Sequence, residues 1–192
     1  MRIVAGVWRG RTIGAPRSAA TRPTADRVRQ ALFDMLAHAP WADPWAECTI
    51  LDGFAGSGAL GLEALSRGAA RAVFFETDRA ALDSLRANIA TLGAARRCIV
   101  VAADANDPPP PMTAQGSCSL VFLDPPYGHD LIVPTLGALR RTGWIAPNAL
   151  IVAEYAREES PPVAAASLLA ERRHGAARIS VWRDGERLAG SG

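Results

Sequence analysis

The fold is decided by residues 51–61, which read Leu51-Asp52-Gly53-Phe54-Ala55-Gly56-Ser57-Gly58-Ala59-Leu60-Gly61. This stretch places a Gly-x-Gly-x-x-Gly turn directly after an apolar run and before a helical pattern. Glycine allows the positive φ that such a turn needs, and it lets a ligand approach the backbone closely. The stretch therefore predicts a strand, a tight turn and a helix, with a ligand-binding site at the turn.

Strands alternate with helices on both sides of this turn. The apolar runs that predict strands span 48–52, 71–76, 97–102, 118–123 and 148–154, and a closing hairpin is predicted at 168–174 and 176–183. The stretches that predict helices lie near 58–67, 78–92 and 129–141. Continuous apolar strands alternating with helices indicate an α/β fold. We expect a seven-stranded, mostly parallel sheet with helices on both faces and a C-terminal antiparallel hairpin.

The first thirty residues are strongly basic. They hold seven arginines and one acid, a net charge of +6, whereas the rest of the chain carries −4. Glycines in the first fourteen residues predict a short hairpin with Arg9 and Arg11 at or near its tip, and a helix begins near Thr24. We expect this N-terminal arm to bind a polyanion, because phosphate contacts supply most non-specific affinity. The alternative is a solvated basic tail.

The overall composition predicts a soluble, cytoplasmic protein. The chain of 192 residues is 49% hydrophobic, and it shows neither an apolar leader nor an apolar stretch of the roughly 20 residues that span a bilayer. Cys48, Cys98 and Cys118 lie in or beside predicted strands and lack metal-ligand spacing. We therefore expect buried thiols, no disulfide and no bound metal.

Acids follow three of the predicted strands. Glu76 ends the second strand, eighteen residues after Gly58, where an acid can accept both hydroxyls of a ribose. Asp52, at the first strand end, would oppose a pyrophosphate but could face a cationic group, which favours S-adenosylmethionine over a dinucleotide. Asp104 could accept a bond from an adenine amino group, with the Ala105 N–H as a donor to the ring. The alternative for Asp104 is an ordinary loop cap.

A second motif, Asp124-Pro125-Pro126-Tyr127, ends the apolar strand at 119–123. Two successive prolines remove two backbone donors and prevent the strand from continuing. In an open α/β sheet, ligands bind beyond the carboxyl ends of the strands. A carboxylate, rigid carbonyls and an aromatic ring at that edge suit a flat base that carries an amine. The alternative is a strand-ending turn with a half-buried tyrosine.

These motifs together resemble the Rossmann-like, class I S-adenosylmethionine-dependent methyltransferases. The tetrapeptide at 124–127 matches the (Asp/Asn)-Pro-Pro-aromatic motif of enzymes that methylate exocyclic amines. More narrowly, the blocks at 21–33, 52–64 and 124–127 are similar to the bacterial 16S rRNA guanine-N2 methyltransferase family, RsmD. This resemblance spans roughly residues 2–183.

The resemblance implies a set of cofactor-binding residues. S-adenosyl-L-methionine, with S-adenosyl-L-homocysteine as product, would be held by Asp52, Phe54, Gly56, Ser57, Gly58, Glu76, Asp104 and Ala105. It also places Arg22, Thr24 and Arg27 near both the cofactor and the RNA entrance, without separating the two duties. The domain organisation that follows is a basic arm at 1–23, a methyltransferase domain at 24–184 and a frayed tail at 185–192.

Our hypothesis for the chemistry assigns roles to three residues. Asp124 and the Pro125 carbonyl accept the two hydrogens of a guanine 2-amino group, and Tyr127 stacks on the extruded base. The proton that leaves goes to Asp124 or to water. The implied partner is 16S rRNA in the small ribosomal subunit or a late assembly particle, and we expect a monomer without a membrane or metal partner.

Three other functions compete with this interpretation. A DNA adenine-N6 or cytosine-N4 methyltransferase shares the tetrapeptide, but the chain has no spare length for a target-recognition domain. A nicotinamide-dependent reductase shares the glycine turn, but it leaves Asp52 and the tetrapeptide unexplained. A non-catalytic RNA-binding assembly module would bind RNA without transferring a methyl group.

Overall fold

The structure, a computed structural model, describes residues 1–14, 23–43, 45–111, 117–164 and 167–185, with the backbone alone at 23–27. The helices of this part are α1 (Pro23–His38), α2 (Ala59–Ser66), α3 (Arg79–Thr91) and α4 (Ile132–Thr142). Its strands are β1 (Thr49–Asp52), β2 (Arg71–Phe75), β3 (Cys98–Val101), β4 (Cys118–Leu123), β5 (Ile145–Ala156), β6 (Ala170–His174) and β7 (Ala177–Arg183). None of the described helices is both long and apolar enough to cross a bilayer.

The seven strands form one sheet in the order β3-β2-β1-β4-β5-β7-β6. The first five strands of the chain pair in parallel, while β7 runs antiparallel between β5 and β6. The predicted α/β fold with a C-terminal antiparallel hairpin is therefore confirmed. The chain moves outward in one direction from β1 to β3 and in the other from β4 to β5. This leaves a topological switch point between β1 and β4, where ligands of such folds bind.

Helices cover both faces of the sheet. On one face, Phe33 of α1, Leu62 of α2 and Leu85 of α3 pack in one apolar cluster with Phe74. On the other face, Leu136 of α4 packs in a second cluster with Phe75, which follows Phe74 in β2. Successive side chains of β2 therefore belong to two separate hydrophobic cores, one on each face, as expected for a parallel sheet that is buried on both sides.

The N-terminal segment forms the predicted hairpin but docks onto the domain. Arg2 and Thr12 pair in an antiparallel bridge, and Val7 N donates to the carbonyl of Ser66, 2.8 Å away. Gly6 has a φ of 81°, and a Cβ there would lie 1.8 Å from the same carbonyl oxygen, so a side chain does not fit. Ser66 ends α2, close to the start of β2. The hairpin tip therefore lies at the amino ends of the parallel strands.

None of the three cysteines forms a disulfide. Cys48 and Cys118 are buried, whereas Cys98 is half-buried. Burial raises the pKa of Cys98 and of Cys118 to about 12. These thiols remain protonated and unreactive near neutral pH.

Candidate active site

Two cavities meet at Asp124, directly beyond the carboxyl ends of β1 and β4. The first, which we call the turn cavity, has a volume of about 410 Å³ and lies against the glycine turn. The second, which we call the tyrosine cavity, has a volume of about 540 Å³ and lies against Tyr127. Asp124 lines both. One carboxylate therefore stands between two sites, each large enough for a small organic ligand.

The turn cavity collects most of the residues that the sequence analysis assigned to a cofactor. Its walls include Phe54, Gly56, Glu76, Asp104 and Ala105. Gly56 has a φ of 54°, and a Cβ built on it would meet no heavy atom within 4 Å. The backbone is therefore bare toward open space at this point, as a close-approaching ligand requires.

Glu76 closes the glycine turn through backbone hydrogen bonds. Its Oε2 accepts from Gly56 N at 2.7 Å, and its Oε1 accepts from Thr77 N at 2.7 Å and from Asp78 N at 2.8 Å. Oε2 accepts only one of these bonds and has further acceptor capacity, so the bonds fix the side chain while leaving it able to accept from a ribose hydroxyl. Glu76 is a rigid acceptor at the edge of the cavity.

Asp104 lies on the opposite wall and caps its own loop. Its Oδ1 accepts from the backbone N of Asn106 at 2.8 Å and from Asn106 Nδ2 at 2.9 Å. The side chain is exposed toward the cavity, whereas Ala105 beside it is buried. The loop-cap interpretation and the ligand-binding one are therefore compatible, because the bonds to Asn106 hold the carboxylate in place.

Three other predicted cofactor residues lie behind the cavity wall. Asp52 is 1% exposed, and its Oδ2 accepts from Gly61 N at 3.0 Å. Burial, together with the charge of Glu76, raises the pKa of Asp52 to about 7. Ser57 is buried, and Gly58 starts α2 with a φ of 84°. These residues shape the turn from below rather than facing the open volume.

Asn88 of α3 holds the turn against the N-terminal segment, a role that the sequence analysis missed. Its Nδ2 donates to the carbonyl of Ser57 at 2.9 Å and to that of Gly14 at 2.9 Å. Its Oδ1 accepts from Gly14 N at 2.7 Å. A polar side chain on the inward, leucine-bearing face of α3 was the available signal. Asn88 thereby fixes where the chain leaves the hairpin toward α1.

The tyrosine cavity brings Asp124 and Tyr127 together with Glu154 of β5. The Tyr127 hydroxyl donates to Glu154 Oε1 at 2.6 Å, and the tyrosine side chain is 45% exposed. Glu154 also was not predicted. The signal was present, because Glu154 is the charged residue in an otherwise apolar run of the strand beside β4. Ala153 of β5 pairs with Leu123 of β4, so the residues that follow this pair, Glu154 and Asp124, occupy neighbouring positions.

The electrostatics of this cavity are dominated by negative charge. Enclosure by protein raises the pKa of Asp124, and the nearby charges of Glu154 and Asp52 raise it further. Burial and the bond to Glu154 likewise raise the pKa of the Tyr127 hydroxyl. Hydrogen-bond donors that bind here would relieve this crowding. The cavity therefore favours a ligand whose edge presents N–H groups.

Glu159 secures the loop that follows Tyr127. Its Oε1 accepts from Gly128 N at 2.7 Å, and its Oε2 accepts from Ala156 N at 2.6 Å. Although desolvation opposes ionisation, these backbone donors lower the pKa of Glu159. The buried Pro125 and the Glu159 contacts together hold Tyr127 at a fixed height above Asp124.

The structure does not bring the predicted RNA-binding arginines of the hairpin to this site. Arg9 is exposed in the hairpin turn, and Arg11 Nη1 donates to the carbonyl of Thr91 at 3.1 Å, where α3 ends. Both arginines thus lie at the amino ends of the strands, opposite Asp124. Arg22 falls outside the described residues, as do the side chains of Thr24 and Arg27. Within the described residues, no cluster of acids, histidines or cysteines is arranged to hold a metal ion.

Comparison with known proteins places the chain in a family. Residues 1–183 match the family model described as conserved hypothetical protein 95. The chain is 40% identical over 182 residues to ribosomal RNA small subunit methyltransferase D of Escherichia coli (strain K12), covering 94% of this chain and 87% of that protein. The protein of the same name from Haemophilus influenzae is 38% identical over 163 residues, covering 83% and 80% of the two chains.

Solved structures support the same fold. The structure of yhhF from Escherichia coli has 38% sequence identity and a TM-score of 0.78, covering 95% of this chain and 97% of that one. An RNA methyltransferase from Salinibacter ruber, solved in complex with S-adenosyl-L-homocysteine, has a TM-score of 0.59 at 14% identity and covers 86% and 93%. At that identity, the second likeness concerns the fold alone.

Proposed function

Because this chain belongs to the ribosomal RNA small subunit methyltransferase D family, we propose that it transfers a methyl group to the N2 amine of a guanine in 16S rRNA. The methyl donor is S-adenosyl-L-methionine. The observation that carries the proposal is the meeting of two cavities at Asp124. A donor in one cavity and a base in the other would react across this single carboxylate, as a direct transfer between two bound molecules requires.

The turn cavity fits the donor. Its volume of about 410 Å³, the bare backbone at Gly56 and the fixed acceptor Glu76 suit a nucleoside. Glu76 would bind the ribose hydroxyls, while Asp104 and Ala105 would face the adenine. Asp52, Ser57 and Gly58 would support the turn beneath it. When bound, S-adenosyl-L-methionine supplies an electrophilic methyl group on its sulfonium.

The tyrosine cavity suits the target base. Asp124 and the Pro125 carbonyl would accept the two hydrogens of the exocyclic amine, which would take the nitrogen lone pair out of conjugation with the ring and turn it toward the sulfonium. The exposed face of Tyr127 would stack on the base, a contact worth about 1–3 kcal/mol. Because Glu154 and Glu159 already hold the tyrosine and its loop, little ordering remains to be done on binding.

Glu154 favours guanine over the other amine-bearing bases. One of its oxygens accepts from the Tyr127 hydroxyl, and its second oxygen has capacity for another donor. In guanine one of the two ring nitrogens beside the N2 amine, N1, carries a hydrogen, whereas the other, N3, is an acceptor. In adenine and cytosine the ring nitrogen beside the amine is an acceptor, which a carboxylate would repel. The pair Asp124 and Glu154 therefore matches the donor edge of guanine and disfavours a DNA adenine-N6 or cytosine-N4 target.

Asp124 would also take the proton that the methylated amine loses. Its pKa is raised by enclosure and by the charges of Glu154 and Asp52. A raised pKa makes the ionised carboxylate a stronger base than an exposed aspartate. The same residue would thus orient the amine before transfer and accept a proton after it.

The remaining parts of the proposal concern the setting. We propose a cytoplasmic monomer that acts on the assembled small subunit or a late assembly particle, with the methyltransferase domain at 24–184, the basic arm at 1–23 and a tail at 185–192. Residues Arg22, Thr24 and Arg27 would line the RNA entrance. Support comes from the family relatives, whose name specifies the small subunit.

A labelled-methyl assay tests the function. Purified protein is mixed with labelled S-adenosyl-L-methionine and, separately, with unmethylated small subunits, free 16S rRNA and duplex DNA, and the products are mapped by mass spectrometry. We expect N2-methylguanine in the small subunit. Label on adenine N6, on cytosine N4 or in DNA would contradict the proposal. Cofactor binding with no transfer to any substrate would favour the assembly module.

Two variants test the choice of base. Glu154→Gln should slow transfer to guanine by at least tenfold while leaving cofactor affinity unchanged, because the amide replaces a charged acceptor of the N1 hydrogen with a neutral one. The control is Asp83→Asn, which changes an exposed acid on α3 that is 69% accessible. Equal guanine transfer by Glu154→Gln and the control would remove Glu154 from the base-recognition model.

A further inference from the structure

The β6–β7 hairpin carries a group of basic side chains beside the tyrosine cavity. Arg172, Arg173 and His174 are exposed at the sheet edge, and Arg178 of β7 is half-buried. The hairpin turn at 174–177 lines the tyrosine cavity together with Asp124 and Glu154. A basic surface thus borders the acidic cavity that would hold the base.

Strand register determines which side chains face the cavity. Ile179 pairs with Glu154 on one side and with Arg172 on the other, so these three residues lie in one row across the sheet. Paired residues share a face, and His174 shares it too, because it lies two positions beyond Arg172. With strands about 4.8 Å apart, Arg172 lies roughly 10 Å from Glu154 in this row. The charge along this row therefore changes from negative at Glu154 to positive at Arg172 over roughly the length of one nucleotide.

The opposite face of the hairpin holds two arginines against each other. Arg173 of β6 pairs directly with Arg178 of β7, and like charges directly opposite each other destabilise a sheet. Glu171 offsets part of this repulsion, since its Oε1 accepts from Arg173 Nε at 3.0 Å. In the described structure Arg178 Nε is buried without a hydrogen-bond partner. The paired arginines therefore concentrate positive charge on this face of the hairpin.

We propose that this hairpin binds the ribose–phosphate backbone of the RNA strand that carries the target guanine. Arg172 and His174 would contact phosphate on the cavity face, and Arg173, with Arg178 paired beside it, would add positive charge on the opposite face of the hairpin. A base seated against Asp124 and Glu154 has its phosphate displaced toward the hairpin. Arginine presents a planar fork of donors that matches phosphate oxygens. The inference rests on the proposed function, because it takes RNA as the ligand.

The test compares hairpin variants with matched arginine variants elsewhere. The hairpin variants are Arg172→Ala, Arg173→Ala and their combination with Arg178→Ala. The control is Arg141→Ala, an exposed arginine in the last turn of α4. That turn lies at the amino ends of the strands, because Trp144 just beyond it bonds to Cys118 at the start of β4. Circular dichroism and cofactor titration identify any variant that fails to fold.

The measurements are KM, kcat and the salt dependence of small-subunit binding. The triple variant should raise KM about tenfold or more, with kcat and cofactor affinity nearly unchanged. Each lost phosphate contact should lower the slope of log affinity against log salt by about 0.7–0.9. Arg172→Lys should recover part of the loss, because it keeps the charge. A triple variant that matches Arg141→Ala in KM and salt slope would overturn the inference.

Filter binding of small subunits separates the two proposals. If the wild-type protein methylates no small-subunit guanine, the proposed function fails. The difference in subunit binding between the triple hairpin variant and Arg141→Ala then still decides whether the hairpin contacts RNA. Equal binding by these two variants, in a protein that does methylate the subunit, would overturn the hairpin inference alone.

Discussion

Acidic side chains at the two ends of the sheet have opposite surroundings. Toward the amino ends of the strands, Glu63 of α2 is fully buried and fully engaged. It accepts from Val4 N at 2.8 Å, from Ala5 N at 3.0 Å and from Arg67 Nε at 2.9 Å. At the carboxyl ends, burial and then the charges of Glu154 and Asp52 instead raise the pKa of Asp124.

The difference separates stability from function. A buried acid whose oxygens are satisfied by donors holds the fold together, and removing it leaves its partners unpaired. Acids that crowd one another destabilise the folded state at neutral pH and gain from a ligand that supplies donors. Substitution of one acid from each group should therefore affect different measurements.

The largest effect is expected on the rate of methyl transfer, from substitution of an acid at the carboxyl ends of the strands. Asp124→Asn should reduce the single-turnover rate about 10²–10³-fold, because the amide replaces a charged acceptor that faces the amine. Its melting temperature should equal or exceed that of the wild type, because one of the crowded charges is gone. A normal rate, or a lowered melting temperature with normal cofactor binding, would contradict the comparison. Asp83→Asn again serves as control.

The second largest effect is expected on the free energy of unfolding, from substitution of the buried acid toward the amino ends of the strands. Glu63→Gln should lower the free energy of unfolding by about 3–5 kcal/mol, since it leaves Arg67 and two backbone amides poorly paired. For a chain of this size that corresponds to a fall in Tm of roughly 10 °C. Methyl transfer per folded molecule, measured well below the melting point, should stay within a factor of about two. A large loss of activity in the folded protein would contradict the assignment of stability to acids at the amino ends and of function to acids at the carboxyl ends.

A smaller effect concerns the turn cavity. Glu76→Gln keeps the shape of the side chain but exchanges a charged acceptor of three backbone N–H bonds for a neutral one. We expect the Kd for S-adenosyl-L-methionine to rise by about tenfold, since hydrogen bonds to charged groups contribute about 1.5–3 kcal/mol. Isothermal titration measures it. An unchanged Kd would mean that Glu76 supports the turn without contacting the ligand.

The smallest effect is a pH dependence of stability. Asp52 has its pKa raised to about 7 in the folded protein, against about 3.9 for an unfolded chain. Its contribution to stability is therefore fully present below pH ~4 and is lost as pH rises through about 7. Relative to Asp52→Asn, the wild type should lose a few degrees of Tm, about 3–5 °C, between pH 6 and pH 8. Parallel Tm profiles for the two proteins would contradict the raised pKa.

The fold was largely predictable because its signals are local and repeated. The glycine turn at 53–58, the Asp78 cap of α3 and the Pro125-Pro126 stop each act on neighbouring residues. Asp78 Oδ1 accepts from Ala81 N at 2.8 Å, as a helix cap does. Several such signals in order specify a parallel sheet, and its carboxyl edge then follows from topology.

The parts of the site that sequence could not supply depend on register and docking. Arg9 and Arg172 both belong to basic hairpins, but only the strand pairing places Arg172 in the same row as Glu154. Glu154 became a candidate once Ala153 was seen opposite Leu123. Asn88 acts through Gly14, more than seventy residues away in the chain. Local charge and periodicity contain no information on such distant pairings.

The insertion of β7 between β5 and β6 has a consequence for synthesis on the ribosome. The antiparallel partner of β5 is β7, which comes after β6 in the chain and ends at Arg183. Until that residue has emerged, β5 has a bare edge and the tyrosine cavity lacks the wall formed by Ile179. The nascent protein can complete its glycine turn early, but it gains a closed pocket for a base only after about 130 further residues, through β7, have been synthesised.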